Sequence, residues 1–211
     1  MVGRVAALRE ALVGSSVPRR ILDFGCGTGE TSAHLAATFP GATVVGVDSS
    51  REMVACARER HRSPSVSFAA PAELGSGESF DVCYVNGVLH HIEPPDRDGV
   101  LTRLYGLLRV GGRLALFENN PANPGTRWVM ARIPFDRQAK VISSRQARRL
   151  LATVGFSLPA RTEFLFVFPR WLRSLRRLEV PLRHLPLGAQ YLVVGVKLEA
   201  SMSRHALAES R

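Results

Sequence analysis

The chain has few cysteines, and their arrangement indicates neither a disulfide framework nor a zinc site. Its 211 residues include only Cys26, Cys56 and Cys83, which are far apart and contain no C-x-x-C pair. Small disulfide-rich secreted domains and structural zinc modules are therefore excluded. We interpret the three residues as reduced, small apolar side chains, and we expect a cytoplasmic protein without a metal site.

Long apolar runs and aromatic residues are also scarce. No run approaches the roughly 20 residues that span a bilayer. The first segment, MVGRVAALREALVG, carries Arg4, Arg9 and Glu10 inside its apolar pattern, which is not typical of a signal peptide. Aromatic residues make up 7% of the chain, too few to indicate a platform on which nucleic-acid bases stack.

Acidic residues are scarce in the second half of the chain. The formal net charge is +10, and residues 127–183 contain thirteen Lys or Arg residues against only Asp136, Glu163 and Glu179. Such a basic half fits a nucleic acid, an anionic membrane surface or an acidic substrate, and it fits equally a solvated arginine-rich face. Charge alone leaves these interpretations open.

What is present is a regular alternation of apolar strands and helices. Seven strands are predicted at 19–24, 43–48, 66–71, 81–86, 113–119, 162–168 and 191–199. Helices are predicted at 5–14, 30–39, 51–61, 99–110 and 144–156, the fourth of them ending at Gly111 and Gly112. Strands separated by helices of this length form parallel β-α-β units with right-handed crossovers. We therefore predict one doubly wound α/β domain over residues 1–200 and a frayed tail at 201–211.

The stretch ILDFGCGTGE, residues 21–30, joins the first strand to the next helix and has glycine at alternate positions, Gly25, Gly27 and Gly29. Glycines there let the backbone turn tightly and let a ligand lie against bare peptide groups. Asp48 ends the second strand 19 residues after Gly29, where a carboxylate accepts hydrogen bonds from both hydroxyls of a ribose. An adenosine-type cofactor is predicted.

Acidic residues around the loop favour a positively charged cofactor. The dinucleotide fingerprint requires a third glycine where this chain has Glu30. A carboxylate beside the helix N-terminus would compete with a pyrophosphate for the same amide groups. Asp23, two residues before Gly25, adds a further negative charge. A sulfonium nucleoside with an α-amino group meets both conditions.

LDFGCGTG followed by VVGVDSS resembles the nucleotide-binding half of the class I S-adenosylmethionine-dependent methyltransferases, and FDVCYVNGVLHHI and LLRVGGRLALFE are similar to later parts of that family's pattern. The resemblance covers residues 18–118 well and extends more loosely to 198. It implies a Rossmann-like fold, with a seven-stranded, mostly parallel sheet, an antiparallel last strand and helices on both faces. It also implies S-adenosyl-L-methionine as the cofactor and a small-molecule type of methyltransferase.

The resemblance further implies a set of cofactor contacts. The three glycines pass under the methionine and ribose, Asp23 lies near the amino group, Asp48 holds the ribose hydroxyls and Met53 flanks the adenine. The expected contacts are Asp23, Gly25, Cys26, Gly27, Thr28, Gly29, Asp48, Ser49, Met53, Pro71, Ala72, Glu73 and Asn86. Pro71 departs from the family pattern, because an acidic residue that contacts the adenine amino group often stands there. The Ala72 backbone or the Glu73 side chain is expected to replace it.

Candidate catalytic residues follow the fourth and fifth strands. His90 and His91 in GVLHHI are candidate bases, or alternatively capping or packing histidines. Glu118 is the third catalytic candidate. We expect Asn119, Asn120 and Arg127 to contact the substrate.

Two arginine-rich connections, about 119–142 and 169–189, are expected to form the rim of the site. RWLRSLRRL within the second has the spacing of a basic amphipathic helix. Such a helix contacts a membrane surface, closes over an acidic and partly apolar substrate, or packs its apolar face on the sheet. These interpretations stay open, as does the choice between a monomer and a homodimer.

Methyl transfer to oxygen, nitrogen or carbon of a small molecule, or of a lipid- or glycan-linked metabolite, is the predicted function. One alternative is a nucleic-acid methyltransferase, but VNGVLHHI stands where amino-methylating DNA enzymes carry an Asn/Asp-Pro-Pro-aromatic motif, so nucleic acid is not the expected partner. The other is a protein that binds the cofactor on the same fold without methylating.

Overall fold

Seven strands form one sheet in the computed structural model, which describes residues 2–75, 77–133, 139–159, 162–168, 174–175 and 177–199. The strands are β1 (Arg20–Phe24), β2 (Thr43–Val47), β3 (Val66–Ala69), β4 (Phe80–Asn86), β5 (Leu108–Asn119), β6 (Glu163–Leu165) and β7 (Gln190–Val196). The helices are α1 (Val2–Ala11), α2 (Glu30–Thr38), α3 (Arg51–Arg60), α4 (Arg97–Leu107), α5 (Pro124–Met130), α6 (Ser144–Val154) and α7 (Glu179–Leu182).

The strand order β3-β2-β1-β4-β5-β7-β6 confirms the doubly wound architecture. The strands from β3 to β5 pair in parallel, and β7 runs antiparallel between β5 and β6. The order reverses at β1, whose neighbours are β2 and β4. In such sheets this reversal opens a crevice beyond the carboxyl ends of the strands, where the glycine loop lies.

Apolar side chains on both faces of the sheet form the core, as expected where helices cover both sides. Ile21 packs in the cluster that includes residues of α1, α2 and α3. Its neighbour Leu22 packs in the cluster that includes residues of α4 and α6. Because successive side chains in a strand point to opposite faces, Asp23 lies on the same face of β1 as Ile21.

The end of α4 differs from the prediction. We expected the helix to continue to Val110, but it ends at Leu107, and β5 begins at Leu108. The Lys197 side chain donates hydrogen bonds to the carbonyl oxygens of Tyr105 and Leu108. A distant cation thus satisfies carbonyl groups that the end of a helix leaves without partners.

The first rim connection contains a helix that the sequence analysis did not predict. In α5, Pro124 is the first residue and the Asn123 side chain accepts a hydrogen bond from the Thr126 amide, a standard N-cap arrangement. The predicted helix at 144–156 forms as α6, with Ser143 and Gln146 in a capping box.

Parts of the predicted rim and tail lie outside the described residues. These parts are 134–138 in the first connection, 169–173 and 176 in the second, and the tail at 201–211. The predicted basic amphipathic helix of the second connection is therefore largely outside the described chain. Among the residues that are described, no helix has the length and apolar character to cross a membrane.

Candidate active site

A crevice of about 760 Å³ opens at the carboxyl ends of β1, β2 and β4. Its walls come from the glycine loop, the end of β2 with the start of α3, the turn after β4, and single residues from the segment after β3 and from α4. The lining residues are Phe24, Gly25, Gly27, Val47, Asp48, Ser49, Ser50, Met53, Pro71, Gly87, Val88, His91, Ile92 and Val100. Its size lies in the range of small-molecule and cofactor sites.

The glycine loop needs glycine for two different reasons. Gly25 and Gly27 have φ values of 79° and 53°, in the left-handed region that other residues rarely adopt. A Cβ on Gly25 would lie 2.3 Å from Cγ2 of Val88, whereas a Cβ on Gly27 would meet no protein atom within 4 Å. Gly25 is therefore required by close packing, and Gly27 leaves open space beside the crevice.

Asp48 holds the loop and the start of α3 together. Its Oδ2 accepts a hydrogen bond from the Gly27 amide at 2.9 Å, and its Oδ1 accepts one from the Ser50 amide at 2.9 Å. Ser50 in turn caps α3 by accepting from the Met53 amide. The carboxylate is thus fixed at the wall of the crevice, and its oxygens retain lone pairs for further donors.

Asp23 lies beneath the same loop, and its side chain is only 2% exposed. Its Oδ2 accepts a hydrogen bond from the Ser32 hydroxyl at 2.6 Å. Burial, with a smaller contribution from the charge of Asp48, raises the pKa of Asp23 to about 7, although the Ser32 hydrogen bond lowers it. A cation above the loop would favour the ionised form.

A second cavity of about 820 Å³ lies beside the crevice and shares Gly87 and His91 with it. Its walls come from the turn after β4, the end of β5, α5, the segment after β6, and the first residues of α1 and β7. The two cavities meet at the turn after β4. A molecule in the second cavity therefore approaches a molecule in the crevice beside His91.

That turn, residues 87–92, is held by buried polar contacts. Glu118, 1% exposed, accepts a hydrogen bond from the Leu89 amide at 2.8 Å, and its other oxygen lies 2.5 Å from Nδ1 of His90. Arg97 donates to the carbonyl oxygens of Ile92 and Lys140. The rings of His90 and His91 lie with their centroids 4.1 Å apart. The position of His91 therefore depends on residues from β5 and α4.

Comparisons with known proteins agree with this geometry. Residues 22–114 match a family model described as a methyltransferase domain. Among curated proteins, the chain is similar to trans-aconitate 2-methyltransferase of Methylobacterium radiotolerans, with 39% identity over 129 residues that cover 61% of this chain and 49% of that protein. The protein of the same name in Mycolicibacterium gilvum is 40% identical over 164 residues, covering 68% of this chain and 60% of that protein. The chain spans about half the length of these relatives.

Solved structures share the whole fold. A S-adenosylmethionine-dependent methyltransferase of Archaeoglobus fulgidus superposes with a TM-score of 0.68 at 17% identity, over 92% of each chain. Magnesium protoporphyrin IX methyltransferase of Synechocystis, solved with bound S-adenosylhomocysteine, superposes with a TM-score of 0.63 at 22% identity, over 92% of this chain and 81% of that one. Residues 22–114 form a methyltransferase domain, and the chain has the fold of S-adenosylmethionine-dependent methyltransferases. Its cofactor class is therefore the sulfonium nucleoside that the glycine loop predicts.

The crevice of the methyltransferase domain fits this cofactor. Gly27 leaves room beside bare peptide groups, and Asp48 presents carboxylate oxygens. Asn86 lines the adjoining cavity, and its buried Oδ1 has no partner among the described residues. A buried oxygen without a donor is costly unless a ligand or water supplies one. The crevice therefore provides carboxylate acceptors and an open cradle, and the adjoining cavity provides an oxygen that lacks a donor.

Several of the expected contacts line a cavity in the methyltransferase domain. Those on the crevice are Gly25, Gly27, Asp48, Ser49, Met53 and Pro71. Those on the second cavity are Asn86, His90 and Asn119, and His91 lines both. Met53 is 39% exposed, consistent with an apolar side chain available to a flat ring.

Other expected contacts point elsewhere. Cys26 packs in the apolar cluster with α1 and α2, because its amide donates to the Val47 carbonyl and turns the loop. Burial and the nearby carboxylates of Asp23 and Asp48 raise the pKa of its thiol to about 12, so it is not a thiolate. Glu73 accepts from the Ala70 amide and pairs with Arg58, away from the crevice. Neither Glu73 nor Ala72 lines either cavity.

The same holds for residues expected at the loop and in the substrate set. Thr28 donates its hydroxyl hydrogen to Glu30, and Gly29 packs against Phe68 and His61. Asn120, 3% exposed, donates to the carbonyl oxygens of Pro186 and Gly188 and so joins the two rim connections. Arg127 is exposed on α5 and lines neither cavity.

Sequence reasoning missed three kinds of site residue. Val88 and Ile92 line the crevice from the turn after β4, although GVLHHI had marked that turn. Trp128 lines the second cavity from α5, a helix that was not predicted. Arg97 was missed because its partners are backbone carbonyl groups, one of them in Lys140, and no sequence motif encodes such a contact.

We expect Asp48→Ala to weaken binding of S-adenosylhomocysteine by about 1–3 kcal/mol, because donors on the ligand and on the loop lose their acceptor. Isothermal titration calorimetry of the purified protein measures this. Glu59→Ala removes an exposed carboxylate from α3 that does not line the crevice and serves as the matched control. Equal affinities of the two variants would contradict the ribose assignment.

We expect Asp23 to make the protein less stable as pH rises from about 4 to about 7. Its raised pKa means that the folded state retains a proton that the unfolded state has lost, so the free energy of unfolding falls through this range and then levels off. Between pH 5 and pH 8, the wild type should lose about 1–3 kcal/mol more than Asp23→Asn. Urea unfolding at both pH values measures the difference, and parallel pH dependences of the two proteins would refute the assignment.

Proposed function

We propose that this methyltransferase domain transfers a methyl group from S-adenosyl-L-methionine to oxygen, nitrogen or carbon of a small molecule or of a lipid- or glycan-linked metabolite. The main observation behind this proposal is that the cofactor crevice and the second cavity meet at Gly87 and His91, which line both. A methyl acceptor in the second cavity would meet the cofactor in the crevice at this junction. Methyl transfer requires such an in-line approach, and alignment of the two reactants supplies much of the rate.

The binding roles follow from the polar groups of the crevice and of the adjoining cavity. When bound, S-adenosylmethionine supplies a methyl group already activated on a sulfonium. In the proposal, Asp48 accepts hydrogen bonds from the ribose hydroxyls while it holds the Gly27 and Ser50 amides. Asn86 Oδ1 accepts from the ligand's amino group. Met53 and Pro71 enclose the adenine from the rim of the crevice.

His91 is the proposed group for handling a proton at the acceptor, because it lines both cavities. His90 is a positioning residue in this proposal: Glu118 holds its Nδ1, and its ring packs on that of His91. When the acceptor loses a proton at neutral pH without help, His91 only orients it. The choice between these roles depends on the acceptor atom.

Incubation of the purified protein with S-adenosylmethionine and a panel of acceptors, with S-adenosylhomocysteine as the measured product, tests the function. The panel includes trans-aconitate, because relatives are named for it. We expect turnover with at least one acceptor and loss of most of it in His91→Ala with cofactor affinity unchanged. Cofactor binding without turnover across the panel would favour a binding protein on the same fold.

Two further parts of the proposal concern the surroundings of the enzyme. We propose a cytoplasmic protein, supported by the free state of Cys26, Cys56 and Cys83.

Trp128 and Val129 are 60% and 47% exposed and also line the second cavity. We infer from these exposed apolar side chains that the entrance of the second cavity admits an amphiphilic acceptor or contacts the surface of a partner.

A further inference from the structure

The second cavity has apolar walls. Residues of α5 and its end, Trp128, Met130 and Ile133, contribute side chains to one wall, and Phe166 and Phe168 contribute to another. Apolar and aromatic side chains of this kind bind ligands mainly by removing apolar surface from water. The volume of about 820 Å³ accommodates a molecule with a ring or a short chain.

Phe166 is held in an unusual backbone conformation at this wall. It is the one non-glycine residue of the described chain with a positive φ, 61°. Its ring packs so closely on the backbone of α1 that a Cβ on Gly3 would lie 2.7 Å from its Cε1. Its carbonyl oxygen accepts a hydrogen bond from the Ala189 amide. Bulky residues rarely adopt this conformation, and such outliers concentrate at functional sites.

Most polar side chains of the cavity are paired with one another. Arg4 donates to Gln190 Oε1 at 2.5 Å, and Gln190 Nε2 donates to Asn119 Oδ1 at 3.0 Å. The Arg4 guanidinium also lies 5.5 Å from the centre of the Phe166 ring. Apart from Asn86, whose Oδ1 has no partner among the described residues, a ligand therefore meets polar groups that already have partners, between mainly apolar walls.

Charged side chains are scarce among the described residues that line the cavity. Among the described residues that line it, Arg4 is the one permanently charged side chain, and none is acidic. Burial of an anion without a matching cation is costly. One anionic group on the ligand has a partner in Arg4, whereas two further carboxylates would have none among the described lining residues.

From this arrangement we propose that the methyl acceptor is a mainly apolar molecule, with an aryl ring or a short alkyl chain and at most one negative charge. This inference rests on the proposed function, because it assigns the second cavity to the acceptor. Such an acceptor would differ from trans-aconitate, the tricarboxylate for which the relatives are named.

Two propenoates provide a matched test. trans-Cinnamate has an aryl group and one carboxylate, whereas trans-aconitate has three carboxylates on a similar short skeleton. Calorimetry with each, on protein saturated with S-adenosylhomocysteine, compares their affinities. We expect trans-cinnamate to bind at least about tenfold more tightly. Failure of S-adenosylhomocysteine to bind in the first step would contradict the proposed function instead, so the two failures are distinguishable.

Variants of the lining residues test whether trans-cinnamate binds in the second cavity. Trp128→Ala and Phe166→Ala should each weaken trans-cinnamate binding about fivefold or more, because they remove apolar contact area, with S-adenosylhomocysteine affinity unchanged. Arg4→Met should weaken binding of trans-cinnamate but not of the neutral cinnamyl alcohol, and Arg4→Lys should restore it in part. Val13→Ala, at an exposed position that does not line this cavity, is the control. Equal or tighter binding of trans-aconitate, no binding of either aryl compound, or identical behaviour of all variants would overturn the proposal.

Discussion

Gly25→Ala will destroy cofactor binding and destabilise the fold, because its new methyl group would lie 2.3 Å from Cγ2 of Val88 and its φ is 79°. Alanine in the left-handed region costs about 1–2 kcal/mol, and forced overlap in a packed region costs about 1–3 kcal/mol more. Val88 lines the crevice and is β-branched, so it has few alternative rotamers. We expect a loss of about 2–5 kcal/mol in the free energy of unfolding and no measurable heat on titration with S-adenosylhomocysteine.

Variants of two other glycines separate the cost of the backbone conformation from the effects on packing and on cofactor binding. Gly14 has φ 81° and no atom within 4 Å of a Cβ, so Gly14→Ala measures the cost of the conformation alone. Gly27→Ala places a methyl group in the open space beside the crevice. It should cost about as much stability as Gly14→Ala, about 1–2 kcal/mol, yet weaken cofactor binding about tenfold or more. If all three variants bind S-adenosylhomocysteine as well as the wild type, the glycine loop does not hold the cofactor.

Glu118→Ala will lower the free energy of unfolding by about 3 kcal/mol or more, because the buried Leu89 amide and the His90 ring lose their partner and a cavity remains. The carboxylate is 1% exposed and contacts both groups. The turn after β4 contributes to the walls of both cavities. The substitution should therefore also reduce turnover and cofactor affinity together.

Glu118→Gln is the matched variant. It keeps the volume of the side chain and one carbonyl oxygen for the Leu89 amide, so about 1–2 kcal/mol of the loss should be recovered. Urea unfolding of the wild type and both variants measures the difference. A loss below about 1 kcal/mol in Glu118→Ala would show that the turn is held by its other contacts.

The order of the strands could be predicted from the sequence, because apolar strands and helices alternate regularly along the chain. All seven predicted strands form, and β7 runs antiparallel as the resemblance implies. The predicted end of α4 was wrong by three residues: the helix ends at Leu107, where Lys197, far along the chain, donates hydrogen bonds to the carbonyl oxygens of Tyr105 and Leu108. The local sequence pattern of a helix contains no information on a partner as distant in the chain as Lys197.

The cofactor crevice was predictable in part. Gly25, Gly27 and Asp48 are marked by spacing that depends on the local path of the chain, and they line the crevice. Asp23 and Cys26 belong to the same motif but do not line the crevice. Asp23 contacts Ser32, and Cys26 packs in the apolar core. Asp23 points away from the crevice because successive side chains of a strand point to opposite faces. Cys26 does so because the loop turns where its amide donates to the Val47 carbonyl.

The sequence by itself determined the parallel sheet, the glycine loop at the end of the first strand and the acidic partner on the second strand, since each depends on residues close together in the chain. Tertiary structure alone decided that Glu118 supports a turn about thirty residues earlier, that Asn120 joins the two rim connections and that Arg4 meets Phe166. These contacts join residues from distant segments, and only the folded chain brings such segments together. The second cavity consists almost wholly of contacts of this second kind.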